Sequence, residues 1–408
     1  MQKKRESFFI KLINLSIAAY IVSIFVFSFN EEDAILSRYL FIPMFVLLTG
    51  YVFIYQKGKI SIGSFDRRFL AFIAVCLLSI IFAVNRGYAV SKCLTLLQIF
   101  AMCWLLREYI EKEEKEDFFI FTLWLGSTAL VLYVIWFYGT ANVLSSIVSG
   151  IRIGRDITNV NMIGLCATQG ACINYWYAYY KKKYPAYAIV AICVIVVFAS
   201  GSRKSLVCLL LGILALTLLK GNGIKKIKYF GLGILILVGV YIAFSRIPGL
   251  EGIHQRILAM FAAFTRGSSA DASSIHRMQY IEIGMRQFWQ NPFIGVGIGN
   301  TRTLLAGAMG RDTYLHNNYV ELLASVGIFG TIVFYYLLGK PVVTLIRHTK
   351  DQRENVFLAL VMLLLDLIFQ YGQVRYYHKE MYLFVLLAYI VVKNINNEKR
   401  CAVSSSHQ

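Results

Sequence analysis

Charge is scarce in this sequence. Only 15% of its 408 residues are Asp, Glu, Lys or Arg, where soluble domains carry about a quarter. With 58% hydrophobic residues and a mean hydropathy of +0.61, that scarcity excludes a cytosolic, nuclear or secreted globular protein, and disorder and fibrous repeats with it. Period-two alternation is also missing, so lipid-spanning strands are excluded. The eight cysteines contain no C-x-x-C and lie in apolar runs or, for Cys401, in the tail, and they read as buried small hydrophobes. There is no H-E-x-x-H, no His pair at metal spacing and no outer D-x-D, so neither a metal site nor a cofactor is expected. A basic face interleaved with aromatics on a soluble module is missing too, which leaves the net charge of +19 without a nucleic-acid partner.

What the chain has in abundance is long apolar runs. About twelve are of spanning or near-spanning length, at 8–29, 35–55, 69–84, 89–106, 118–138, 160–180, 186–200, 205–219, 229–247, 319–339, 356–372 and 380–393. Backbone polar groups in lipid must be satisfied within the segment, so each run predicts a helix. The expected fold class is an all-α polytopic membrane protein, one transmembrane domain over 1–408. Met1 to Phe29 lacks a small-residue cleavage site and reads as the first span. With the N-terminus inside, the inner segments carry 24 Lys and Arg. The short outer loops carry eight: Arg38, Arg86, Arg152, Arg155, Arg203, Lys204, Arg375 and Lys379. The positive-inside bias places both termini in the cytoplasm, in a cytoplasmic membrane whose lipids are the first partner.

One segment breaks the pattern. Residues 248–318, between spans nine and ten, form a large outer loop of a kind that is usually functional. Ile253, Ile257, Leu258, Phe261 and Phe264 recur in it at helical spacing, as do Ile275, Met278, Met285, Phe288 and Trp289, so two interfacial amphipathic helices are expected. A lid that merely covers the bundle would show the same periodicity. The loop also holds six arginines (Arg256, Arg266, Arg277, Arg286, Arg302 and Arg311) and no lysine. A guanidinium fork matches phosphate oxygens and keeps its charge when desolvated, so an arginine-only loop points to a phosphorylated ligand. Headgroup anchoring accounts for cations there, but not for so uniform a choice.

Two further features carry chemistry. Ser200-Gly201-Ser202-Arg203-Lys204-Ser205 interrupts apolar runs on both sides and sets Arg203 at membrane depth facing outward, where a cation needs a cavity, an anion or the headgroups. His316, in Asp312-Thr313-Tyr314-Leu315-His316-Asn317-Asn318-Tyr319, is expected at or just before a helix N-terminus. Imidazole accepts a proton from a hydroxyl nucleophile, and the helix end disfavours its cationic form. A satisfied interfacial histidine is the bland alternative. Asp312 is a candidate to orient His316, and Asn317 and Asn161 are supporting candidates, Asn161 and Asn159 as cavity-lining groups or helix caps. Gly295-Val296-Gly297-Ile298-Gly299 has no preceding strand and no closing Gly-Lys-Ser or Gly-Lys-Thr, and it reads as a turn after Asn291-Pro292.

Arg277, then Asn291 to Asn300, then His316-Asn317-Asn318-Tyr319-Val320-Glu321 and Gly327-Ile328-Phe329-Gly330 together resemble the signature region of the O-antigen ligase and polymerase superfamily. The span layout, the large outer loop and the Ser202-Arg203 pair resemble it as well. The resemblance implies a metal-independent, inverting glycosyl transfer on the outer face. The donor is a glycan on undecaprenyl pyrophosphate, and the acceptor is a glycan or lipid-linked glycan. It assigns Arg203 and Arg277 to the pyrophosphate and makes His316 the base, in accord with the charge that develops on the leaving group. Ile281, with Tyr280 beside it, stands where many members have an aromatic, and Ser325 where many have an acid, which bears on substrate fit. Polymerases, ligases and protein oligosaccharyltransferases share the motif, and the lack of an added soluble domain or protein-acceptor motif puts polymerase first. A flippase or exporter of the same lipid-linked sugar is the alternative, and it predicts an inverted repeat relating the two halves.

Overall fold

The computed structural model describes residues 7–27, 34–220 and 272–405. They form helices, with no strand among the described residues: α1 (Phe8–Phe27), α2 (Ala34–Ile54), α3 (Ser64–Ser79), α4 (Arg86–Lys112), α5 (Glu116–Tyr138), α6 (Thr140–Ser149), α7 (Val160–Tyr179), α8 (Ala186–Ser200), α9 (Arg203–Leu219), α10 (Ala272–Gln290), α11 (Thr301–Met309), α12 (Asn318–Arg347), α13 (Glu354–Gln370) and α14 (Lys379–Ser405). Each predicted span within the described residues coincides with a helix. The run 229–247, the Ile253 to Phe264 series, Arg256 and Arg266 lie outside them. Five helices, α1, α2, α4, α5 and α12, have the length and apolarity to cross a membrane, and the chain is a multi-pass α-helical membrane protein.

The expected twelve spans are not reached among the described residues. Helices α3, α8, α9 and α13 have 16, 15, 17 and 17 residues, where a helix needs about 20 to cross the hydrocarbon. Helix α7 has 20 residues but buries Thr168, Gln169 and Asn174. Thr168 and Asn174 tie it to its neighbours, Thr168 through a 3.0 Å bond to Ser205 O. The Asn174 amide accepts from the Trp124 indole N–H at 2.7 Å and donates to Thr128 Oγ1 at 3.2 Å, tying α7 to α5.

The described residues gather in two compact units. One comprises the described residues within 1–57, 115–268 and 349–362, and the other those within 58–114, 269–348 and 363–408. In the first, α1 packs on α2 and α5, while α7 packs on α5, α8 and α9. In the second, α12 packs on α3, α10 and α14, and α4 on α3 and α14.

Helix α12, predicted as one uninterrupted span, is broken at Gly327, whose φ of 66° and ψ of −171° are not helical. An unbroken helix would pair Ile328 N–H with Ala324 C=O and carry the ladder on from Ser325. The break frees these groups, and in lipid each unsatisfied one costs several kcal/mol. The turn at 291–300 takes them up. Val296 N–H donates to Ala324 O at 3.0 Å, Gly297 N–H to Ser325 O at 2.9 Å, and Ile328 N–H to Pro292 O at 2.8 Å. Gly295 has φ 72°, and a Cβ there would meet the Ser325 carbonyl at 2.5 Å. The glycine-rich run therefore hydrogen-bonds the broken helix. Its far side reaches α3 and α4, through Ile298 N–H to Ser79 Oγ at 3.1 Å and Asn85 N–H to Asn300 Oδ1 at 2.5 Å.

Arg375, read from the sequence as an outer-loop charge, is buried, and so is Arg107. Arg107, near the C-terminus of α4, makes ion pairs of 2.7 Å with each of Asp66, Glu108 and Glu111. Arg375, between α13 and α14, pairs with Asp366 at 2.9 Å and Glu380 at 2.5 Å. Their burial was not visible because hydropathy windows see one lone charge, whereas folding brings the acids to it.

Gly327→Ala should lower the thermal unfolding midpoint in detergent and broaden the transition. A side chain in this conformation costs about 1–3 kcal/mol before its clash with the Phe293 carbonyl is counted. An unchanged midpoint would show that the break is not held by the turn.

Candidate active site

The site is built on the first turn of α12. Its cap is Asn317, whose side-chain oxygen accepts from Tyr319 N–H at 3.0 Å and Val320 N–H at 3.2 Å. Asn318 is the hinge to α13 and α14. Its oxygen accepts from the backbone N–H groups of Arg375 and Tyr376, at 2.8 and 3.1 Å, and its amide donates to Gln370 and Tyr335. The Tyr319 hydroxyl donates to Leu367 O at 2.8 Å. Buried Glu321 turns back on the approaching chain and accepts from Leu315 N–H at 3.1 Å and from Thr301 Oγ1 at 2.5 Å. The polar residues of the run from Asn317 to Glu321 thus fix the backbone on either side of the cap.

His316 is the residue before the cap, as its sequence position predicts, and it has a left-handed φ of 56°. Such a conformation is uncommon outside glycine and Asn, and it persists only where neighbours enforce it. Here Glu321 holds the preceding N–H and Asn317 caps the following turn. The imidazole, half-buried, packs against the Tyr314 ring at 4.2 Å and the Tyr280 ring at 6.0 Å between centroids. On its other face Tyr280 stacks with His276 at 6.4 Å, and Arg311 donates to both the Tyr280 hydroxyl and His276 Nε2 at 3.3 Å.

Helix α10 meets α12 along a face that the sequence singled out only in part. Tyr280 and Phe288 are buried, and Gly284 lies between them so close to Leu315 that a Cβ would come within 2.5 Å. Ile275, Met278 and Trp289 of the predicted apolar series are exposed. Met285 and Phe288 of the same series lie on the packed side, so the periodic signal draws on both faces.

The loop arginines differ in what holds them. Arg286 pairs with Glu282 on an exposed face, and Arg302 makes two parallel hydrogen bonds to Asp312, of 2.9 and 3.1 Å. Asp312, expected to orient His316, has both oxygens accepting from Arg302 and therefore serves that guanidinium. Arg277, half-buried on α10, has no hydrogen bond or ion pair among the described residues. It lies close enough to Tyr314 for its charge to act on the phenol. Burial pushes the Tyr314 hydroxyl up, with Arg277 opposing and Glu321 adding to the rise, so it remains a neutral donor at physiological pH.

A further cation, Lys92, belongs to the same cluster and was missed. It stands in the second turn of α4 with its ammonium 3.6 Å from the centre of the Tyr377 ring. Burial and the neighbouring Tyr314 phenol push the Tyr377 hydroxyl up, in that order. A lysine at membrane depth costs about 2.5–3.5 kcal/mol, and a ring face offsets only about 0.5–2 kcal/mol of it. The signal was in the sequence, as a lone Lys in the run 89–106.

Arg203 and Asn161 belong to the other unit. Gly201 ends α8 in a left-handed conformation, and Ser202 caps α9 by accepting from Ser205 N–H, which makes Arg203 the first residue of α9, with an exposed side chain. Asn159 caps α7, and Asn161 accepts from Arg152 at 3.2 Å, whose Nε donates to Ser200 O at 3.0 Å. The structure thus brings Asn161 and Arg152 to the Ser200 turn that precedes Arg203. It brings His316, Arg277, Asn317 and Asp312 together in the second unit.

Residues 188–335 match the Wzy_C family, described as O-antigen ligase. The matched stretch contains Arg203, Arg277, the turn at 291–300 and His316, and it supports the O-antigen ligase and polymerase superfamily that the motifs resemble. No curated protein matches the chain.

Arg375→Met should destabilise the protein by about 3–5 kcal/mol, because Asp366 and Glu380 are left buried without their cation. An exposed loop arginine would change stability by no more than about 0.5 kcal/mol. Denaturant titration in detergent separates the two.

Proposed function

We propose that this O-antigen ligase/polymerase-type membrane protein transfers a glycan from undecaprenyl pyrophosphate to a sugar hydroxyl on the outer face of the cytoplasmic membrane. His316 acts as general base and Arg277 binds the leaving pyrophosphate. The observation that carries the reading is Arg277, a half-buried guanidinium with no anionic partner among the described residues, acting on the tyrosine that packs on His316.

In this reaction the acceptor oxygen attacks the anomeric carbon as His316 takes its proton. The bond from that carbon to the phosphate oxygen breaks, and pyrophosphate leaves with the electron pair. A guanidinium placed beforehand stabilises the charge that appears on it, without reorganisation at the moment of reaction. Tyr314 and Tyr280 hold the imidazole in one orientation, and orientation is a large part of what a base contributes. The same donor is proposed for Arg203 on the strength of the family resemblance alone, and Arg203→Lys tests it separately. Joining repeat units is placed ahead of transfer to a lipid core.

Mass spectrometry of undecaprenyl-linked glycans in a deletion strain tests the assignment. Single repeat units accumulating on the outer face mean a polymerase, and long lipid-linked polymer means a ligase. His316→Ala, inserted at normal levels, should leave the accumulation unrelieved, since losing a general base costs about 10²–10⁴ in rate. Arg277→Lys should lower turnover about tenfold, because an ammonium cannot make the two-pronged contact. If lipid-linked units stay on the inner face and His316→Ala restores them as wild type does, the protein is a transporter.

A further inference from the structure

The proposed reaction uses Arg277 and His316 and leaves Lys92 without a task. Among the described residues Lys92 makes no hydrogen bond and no ion pair, while Lys181 and Lys393 reach Glu354 and Glu111. Its two charged neighbours are engaged elsewhere. Glu321 has one oxygen on Thr301 and the other on Leu315 N–H, and Arg302 is bound to Asp312. The ammonium is nonetheless built into place. Tyr377 covers it at 3.6 Å, and Gly299 leaves room for its stem, since a Cβ there would come within 2.7 Å of Lys92 Cγ. Tyr377 is placed in turn by Asn318, which holds the backbone of the two preceding residues. It is also near enough to Tyr314 for their charges to interact, which puts Lys92 in the cluster that contains His316.

A half-buried cation with an aromatic wall, its stem accommodated and its acidic neighbour occupied, lacks one component, an oxyanion. We infer that Lys92 and Tyr377 form a second anion subsite of the His316 centre, distinct from Arg277, which receives a carboxylate or phosphate carried by a substrate. The inference rests on the proposed reaction for the identity of that substrate, and on the geometry alone for the anion. A point-like ammonium over a ring suits a single oxyanion, whereas the forked Arg277 suits the two-oxygen face of a phosphate. Two sources supply that chemistry, an acidic sugar of the acceptor and the pyrophosphate of the donor.

Calorimetric titration of the full-length protein in detergent, with methyl glucuronide and with inorganic pyrophosphate as separate probes, tests this. Wild type, Lys92→Gln, Lys92→Arg and Arg277→Gln are compared, each checked for a monodisperse elution profile. If the subsite takes an acidic sugar, Lys92→Gln weakens glucuronide binding at least tenfold, Lys92→Arg retains most of it, and Arg277→Gln leaves it unchanged. If it takes part of the pyrophosphate, Lys92→Gln and Arg277→Gln each weaken pyrophosphate at least tenfold and glucuronide is unaffected. Equal affinities in wild type and Lys92→Gln for both probes, or no saturable binding of either to wild type, overturn the subsite. His316→Ala should bind the probes as wild type does, so a protein that binds them through Lys92 yet transfers no glycan would refute the reaction and leave the subsite standing.

Discussion

A helix that breaks inside an apolar bundle leaves backbone groups that water cannot reach, and α12 breaks at Gly327. The carbonyls of Ala324 and Ser325 and the N–H of Ile328 are paired only because the turn at 291–300 lies against them and exchanges three backbone hydrogen bonds. That pairing fixes where α10 ends and α11 begins, since both flank the turn. It also fixes the short first section of α12, whose residues cap, clamp and hinge the chain around His316. The Pro292 carbonyl, the glycines at 295 and 297 and the break at Gly327 are parts of one arrangement that satisfies the backbone in lipid.

The second constraint is the cost of charge away from water, and the cations meet it in three ways. Arg107 and Arg375 sit among carboxylates and are buried outright, which locks α4 to the Ser61–Asp66 segment and the start of α14 to the end of α13. Arg302 reaches Asp312 at a partly exposed rim. Arg277 and Lys92 have no such partner among the described residues, and both border the tyrosines around His316. A buried charge without a counterion is a poor structural element and a good ligand contact, because the substrate brings the missing opposite charge.

Much of the fold was legible from apolar run length. Every predicted span within the described residues is a helix, because the requirement to pair backbone groups in lipid acts on each segment alone. The twelve expected spans are not reached among the described residues, where runs of 15 to 17 residues form helices shorter than the hydrocarbon needs. The amphipathic reading of α10 found the helix and, in Met285 and Phe288, part of its packing face. Exposed Ile275, Met278 and Trp289 entered the same series, and a small residue such as Gly284, which makes the closest approach, scores as nothing in a hydrophobicity count.

By itself the sequence determined the class of protein, the helical runs, the position of His316 just ahead of a helix and the choice of arginine in the loop. Each of these follows from local chemistry: solvent, backbone pairing and the properties of single side chains. Only the tertiary structure decided which cations have partners. Arg375 looked like a loop charge and is enclosed, Asp312 looked like an orienting acid and is bound to Arg302, and Lys92 passed for part of an apolar run and faces Tyr377. Coulomb and dispersion forces act between residues brought near by folding, across separations of up to hundreds of positions, and no local window contains both partners.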